Sequence, residues 1–430
     1  MFAPMNSAGA PVGPAPSTLP GGTVSWEPQV RHLYVHVPFC AHKCAYCAFY
    51  SEVPRGDWLD RYVAALCREL ELVAADVRPR TIFFGGGTPT LLPMRAWERV
   101  LRQMERLNLL GVAEFTLEAN PATVTAEKTR LFRDFGVNRL SLGVQSLDAA
   151  LLERLGRIHN RRQVFDSWET LRAAGFTNLN LDLMFAIPGQ TLAMWRATLR
   201  EALALGSEHL SCYEVIYEED TPLFAQLRAG RFDVDEDLAC AMYEELVEAA
   251  AGAGYHQYEV ANFARHSGPP GAAVPDHACL HNLNYWRGGS FYGLGPSATG
   301  YVRGVRTRNP ARTPRYCAAL ERGRRDVEFR EALSPRARAG EAAAFGLRLV
   351  AGWPFADFTR LTGFDLRREW AEDLAWLEAR GWGERTAEGF RLTRWGLRFA
   401  DQAAERMLRP DTPERCGFDK AAERAHVLRQ

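Results

Sequence analysis

Six short apolar runs, each trailed by a longer helix-compatible stretch, constrain this chain more than any other feature of it. The runs are LYVHV (33–37), TIFF (81–84), FTLE (115–118), RLSLG (139–143), LNLDLMF (179–185) and HLSCYEVI (209–216). Between and after them lie stretches such as WLDRYVAALCRELELVAADV, AMWRATLREALALG and DEDLACAMYEELVEAAAGAG. Strands and helices in strict alternation predict an α/β fold, a parallel sheet with right-handed crossovers coiled into a partial or full (β/α)6 barrel. That core is expected over residues 30–255. Residues 1–29 are rich in Ala, Pro and Gly and are expected to form a disordered tail. Residues 256–331 read as an irregular barrel extension holding a loop with HNLNYW. From 332 to 430 the pattern turns to helices with one ribbon at Phe390 to Thr393, a mostly helical, winged-helix-like C-terminal domain.

Charge narrows the function classes. Lys plus Arg and Asp plus Glu stand at 52 each, so no bulk field favours nucleic acid or an anionic membrane. The C-terminal domain carries no dense Arg/Lys face, and its winged-helix outline alone is no argument for DNA. Nine cysteines without a pairing pattern suit a reducing compartment and a metal site better than a disulfide framework. With neither a signal peptide nor an apolar run of spanning length in the sequence, the cytoplasm is the expected location.

The chemistry gathers where the runs end. The first leads into CAHKCAYC, which sets Cys40, Cys44 and Cys47 within eight positions. A 4Fe-4S cluster held by three thiolates keeps one iron free for another ligand, the logic that makes an open metal site reactive. The second leads into GGGTPT, where Gly86 and Gly87 let the backbone approach a ligand that a Cβ would block, beside Thr88. The third ends at Glu118, the fourth leads to Gln145, the fifth holds Asp182, and the sixth carries Tyr213 and Glu214. Carboxyl ends of barrel strands share one rim, where such folds place their sites.

The spacing C-x3-C-x2-C with Tyr46 before the last cysteine resembles the signature of the radical SAM superfamily. That resemblance implies a 4Fe-4S cluster on Cys40, Cys44 and Cys47 and S-adenosylmethionine (SAM) on its open iron. It further implies SAM contacts from Tyr34, Tyr46, Gly86, Gly87 and Thr88, with Glu118 on the ribose hydroxyls. Through YVHVPFC, GGGTPT, EANP, SLGVQS, RLGRIHN and DLMFAIPGQT the chain is similar, over roughly residues 30–400, to the oxygen-independent coproporphyrinogen III dehydrogenase (HemN-like) group. There the counterparts of Gln145, Arg157 and Asp182 line a second SAM site.

Within that group the dehydrogenases carry a further cysteine two residues past the third ligand, where this chain has Phe49. The heme chaperone branch, HemW, has CxF there and an HNxxYW motif downstream, and residues 281–286 are HNLNYW. By itself HNLNYW is more often a loop packing motif than a ligand. Beside CAFYS it resembles that branch, which implies His281 as a heme ligand, heme as cargo and a heme-acceptor protein as partner. Transient contact with a membrane-bound acceptor and a homodimer are both left open. The competing expectation is the decarboxylase that acts on coproporphyrinogen III. A tRNA-modifying radical SAM enzyme fits the cluster but lacks a basic appendage. Of the other cysteines, Cys279, Cys67, Cys212 and Cys240 are expected to pack in the core.

Overall fold

The computed structural model describes residues 27–268 and 274–411. Most of the Ala/Pro/Gly-rich tail, residues 1–26, and Cys416 lie outside the described residues.

The six expected strands are β1 (Val30–Val37), β2 (Val77–Gly86), β3 (Glu114–Ala119), β4 (Arg139–Gln145), β5 (Leu179–Phe185) and β6 (His209–Glu214). Neighbours pair in parallel in chain order. Three later strands, β7 (Tyr255–Gln257), β8 (Asn262–Arg265) and β9 (Tyr292–Leu294), extend the sheet. Its order is β7-β8-β6-β5-β4-β3-β2-β1-β9. The sheet therefore has two edges and is a partial barrel. The family-like segment after 255, expected to be irregular, is more ordered than its Gly and Pro content suggested. It supplies β7 to β9, the small antiparallel sheet of β10 (Thr299–Val302), β11 (Val305–Arg308) and β12 (Phe329–Ala332), and a helix at Leu280–Trp286 in place of the expected loop.

Side chains alternate across a strand, and here the alternation sorts them by polarity. Leu33, Val35 and Val37, Ile82 and Phe84, Phe115 and Leu117, and Leu179, Leu181 and Leu183 are buried in the main apolar core. Helices pack against that face; Trp58–Val73 buries Tyr62, Val63, Leu66, Leu70 and Val73, a stripe at helical spacing. The other face lines the barrel lumen and is polar. It carries His32, Tyr34 and His36 on β1, Thr81 on β2, Glu114, Thr116 and Glu118 on β3, Arg139 and Ser141 on β4, Asn180 and Asp182 on β5, and His209 and Ser211 on β6. Several of these groups satisfy one another: Ser141 Oγ donates to Asp182 (2.9 Å), Asn180 Nδ2 to Asp182 (2.8 Å), and His209 bonds both Asn180 (2.6 Å) and the Tyr258 hydroxyl (2.8 Å), while Thr116 Oγ1 and Arg139 Nε stay without a partner.

The C-terminal part has its own core of Trp353, Phe358, Trp370, Leu374, Leu377, Phe390 and Met407. Helices surround a three-stranded sheet of β13 (Trp353–Pro354), β14 (Gly383–Arg385) and β15 (Gly389–Leu392), in the order β13-β15-β14.

Candidate functional site

The rim at the carboxyl ends of the strands brings most of the expected residues together. The cysteine loop leaves β1 and is tied at its stem, where Cys40 N donates to Glu52 O (3.0 Å) and Glu52 N to Pro38 O (2.7 Å). Its crown is pinned from two sides, by Ala45 N to Leu155 O (3.0 Å) and Leu223 N to Ala45 O (2.9 Å). Gly156 adopts φ +71 and a Cβ there would stand 3.2 Å from Ala45 N, so glycine eases this close approach. Tyr46 anchors the loop in a small apolar cluster with Leu151, Leu155, Met184 and Leu223.

Cys40, Cys44 and Cys47 are free and half-buried. Cys40 Sγ lies 3.5 Å from Thr88 Oγ1, and Arg157 Nη1 lies 3.6 Å from Cys44 Sγ while its Nη2 donates to Gly143 O (2.7 Å). Burial raises the Cys40 thiol and pushes Cys47 up to about 11. A metal must therefore displace protons to bind them. Among the described residues no three His, Cys, Asp or Glu side chains stand close enough to share a single ion. Three thiols on one loop match the donor chemistry of a sulfide-bridged iron cluster, whose thiolates sit on different irons. Arg157 and Thr88 offer the charge and the hydrogen bond that thiolates at those positions need.

The glycine loop is packed from below. A Cβ on Gly85 would stand 2.9 Å from the Glu118 carboxylate, one on Gly86 2.4 Å from the His36 ring, and one on Gly87 2.7 Å from Phe39 O. Gly86 N donates to Glu118 Oε2 (3.1 Å), Gly87 N to Val37 O (2.8 Å) and Thr88 N to Phe39 O (2.8 Å). Burial, with the Asp182 charge behind it, pushes the Glu118 carboxyl up to about 8, and burial raises Asp182 as well. Gln145 ends β4 at φ +64, next to a register shift between Gly143 and Gln145. A strained non-glycine backbone at a strand end marks a position held for a purpose. Gly143 sits under both Gln145 Nε2 (3.2 Å) and Arg157 Nη2 (3.3 Å) from its ideal Cβ, so Gln145 and Arg157 share one corner.

Two expected residues lie elsewhere. Tyr34 is below the rim, its hydroxyl 3.0 Å from His36 Nδ1, with Phe83 and His281 as ring neighbours. His281 is at the base of the lumen, 1% exposed. Its Nδ1 bonds Thr81 Oγ1 (2.7 Å) and its Nε2 the Tyr285 hydroxyl (2.8 Å). Burial holds its ring well below the usual imidazole range. From Thr81, opposite His32 on β1, five residues of strand separate this level from the rim, about 16 Å at the usual rise. Cys279 is buried as expected, and Glu114 accepts from Leu280 N (2.8 Å) and His281 N (3.0 Å), capping the short helix.

The lumen residues His32, Glu114, Arg139, Asn180 and His209 are absent from the sequence reading. Their signal was present as polar alternation in RHLYVHV, EFTLEA and LNLDLMF.

Comparison with known proteins agrees with this geometry. The radical SAM superfamily model matches residues 34–202 and the HemN C-terminal domain model residues 333–399. The heme chaperone HemW of Lactococcus lactis subsp. lactis (strain IL1403) is 37% identical over 321 residues, 74% of this chain and 82% of that protein. HemW of Escherichia coli (strain K12) is 34% identical over 395 residues, 87% of this chain and 97% of its own. The solved E. coli coproporphyrinogen III oxidase, HemN, a radical SAM enzyme, superposes with a TM-score of 0.75 over 89% of this chain and 91% of that one, at 21% identity, a likeness of fold. A (β/α)6 partial barrel with cysteines at its rim, a HemN-type C-terminal domain and this breadth of identity have one consequence: the chain belongs to the HemW family of the radical SAM superfamily.

Proposed function

We propose that the chain is a heme chaperone, which binds heme and passes it to an acceptor protein in the cytoplasm. The observation that carries this is the identity to proteins named heme chaperones over 82% and 97% of their lengths. Phe49 supports it: where the dehydrogenases have a further thiol, this chain has an aromatic ring 43% exposed. Among the described residues no helix is long and apolar enough to cross a membrane.

Membership of the radical SAM superfamily implies a 4Fe-4S cluster and SAM. In our reading Cys40, Cys44 and Cys47 hold the cluster, which when bound supplies an iron with an open position for the amino and carboxylate groups of SAM. Gly86, Gly87 and Thr88 bring backbone and hydroxyl to the methionine end. Glu118, pushed up to about 8, keeps its proton at neutral pH and both donates and accepts hydrogen bonds to ribose hydroxyls. Gln145, Arg157 and Asp182 line the adjoining SAM position, with Tyr46 behind the cysteine loop and Tyr34 below it. His281 is neutral, the form that ligates iron, and serves as axial ligand once the Tyr285 hydroxyl gives up its Nε2.

An anaerobic heme titration followed at the Soret band tests this. Saturable binding, with its His281-dependent component lost in His281→Ala and strengthened in Tyr285→Phe, is the expected result. Absence of saturable binding, or repeated turnover of coproporphyrinogen III to protoporphyrinogen, would replace this reading with the dehydrogenase.

A further inference from the structure

The motif RLGRIHN is only partly absorbed by the rim. Its Arg157 reaches Cys44 and its Gly156 lies against Ala45, but Gly156, Ile158 and His159 also border a second feature. Together with His42 of the cysteine loop and the Ala149–Arg154 helix they line a surface cleft of about 390 Å³. Its lining is mainly apolar. Leu152 forms part of it, and Ile158 is 53% exposed, the most exposed large apolar side chain among the described residues. His42 is exposed and lies against Gly156, its Nε2 3.7 Å from the ideal Cβ of that glycine. His159 is 3% exposed; its Nε2 bonds Val144 O (3.1 Å), and its Nδ1 has no partner. Arg157 Nε is likewise buried without an acceptor. Glu153 closes one edge.

We infer that this cleft is a docking site for heme, with Leu152 and Ile158 against the porphyrin face and His42 as the imidazole toward the iron. The inference rests on the chaperone reading and adds a second heme contact to it. Two features converge on this ligand. A mainly apolar lining suits a macrocycle, and an exposed imidazole is an ordinary axial ligand. Glu153 orients the ligand by repelling the carboxylate edge. A cleft of this size is at the small end for buried ligands, so it covers part of a porphyrin and leaves the rest open, as a cargo that must be handed on requires. His281 has no such access, since it is 1% exposed with both ring nitrogens engaged. Heme arriving from solvent meets His42 first.

The test is a ferric heme titration of the full chain with its cluster reconstituted, comparing wild type with His42→Ala and Ile158→Glu. Soret position, electron paramagnetic resonance of the heme iron and iron–sulfur content are read together. The inference expects a tenfold or greater weakening in both variants, a changed ligand signature in His42→Ala, and recovery of that signature with added imidazole. Because His42 lies between two cluster cysteines, Ile158→Glu decides the matter if His42→Ala loses iron and sulfide. Should wild type bind while both variants bind equally well with the same spectrum, the cleft is not a heme site and the chaperone reading survives. If wild type fails to bind heme at all, both fall.

Discussion

Gly86 is the residue on which the rim depends most narrowly. Its φ of +102 already excludes most side chains, and a Cβ would meet the His36 ring at 2.4 Å. That ring cannot retreat freely, because Tyr34 OH holds its Nδ1 (3.0 Å) and Tyr50 O accepts from its Nε2 (2.8 Å). Gly86→Ala is therefore expected to cost about 1–3 kcal/mol of stability and to weaken SAM binding at least tenfold, measured by denaturant midpoint and equilibrium dialysis. An unchanged midpoint would mean that His36 yields more easily than its bonds suggest. Three successive glycines were legible in the sequence as a backbone made to approach something. What they approach from below was not, because His36, Glu118 and Phe39 come from other strands and meet the loop only when the sheet coils. The same holds for His281. Its motif was visible, but its partner Thr81 is 200 residues away.

At the level of elements, the strands were legible because they alternate, and the alternation also determines how the lumen responds to pH. Burial holds His32, His36 and His159 down to about 4, against 6.5 when exposed. Between those values the unfolded chain binds protons that the folded one refuses, so stability is lost as pH falls through that window. Glu118 acts in the opposite sense. Its carboxyl stands at about 8 against 4.5 unfolded, so the folded chain keeps a proton that the unfolded one releases, and stability falls as pH rises from about 4.5 to about 8. His209 and His281 are held down in the same sense as these imidazoles, and Asp182, Glu214 and Glu259 are raised in the same sense as Glu118, so stability is expected to fall on both sides of a maximum near pH 6.5 in the absence of SAM. Denaturant midpoints across pH 4–9 check this, and Glu118→Gln is expected to flatten only the alkaline arm. A variant as pH-dependent as wild type above pH 6.5 would assign that arm to other groups. The Leu280–Trp286 helix, by contrast, was read as a loop. Seven residues rarely hold a helix alone, and the Glu114 carboxylate that caps this one arrives from β3.

For the whole molecule, that short helix joins the barrel to the C-terminal domain. Trp286 lies 6.5 Å from the Phe345 ring with the Arg348 guanidinium over it at 4.9 Å, and Arg287 donates to Gly352 O (2.7 Å) while covering Trp353. Nearby, Val350 N donates to Tyr258 O (3.0 Å), and Arg306 of β11 pairs with Glu331 (2.7 Å) and with Glu341 (2.6 Å) of the Pro335–Gly346 helix. The aromatic pair of the HNLNYW motif thus divides its work: Tyr285 faces His281 in the lumen, and Trp286 faces the other domain. The two domains keep separate apolar cores, so cooperative unfolding of the pair is expected to depend on this seam. Trp286→Ala removes its largest filler at an expected cost of about 3–5 kcal/mol. Because that loss falls on the coupling and on neither core, calorimetry is expected to show the single wild-type transition split in two, the C-terminal domain melting first and the barrel near its original temperature. A single transition shifted downward as a whole would mean that the remaining contacts, Arg306 with Glu341 and Arg398 with Glu244 among them, couple the domains without Trp286.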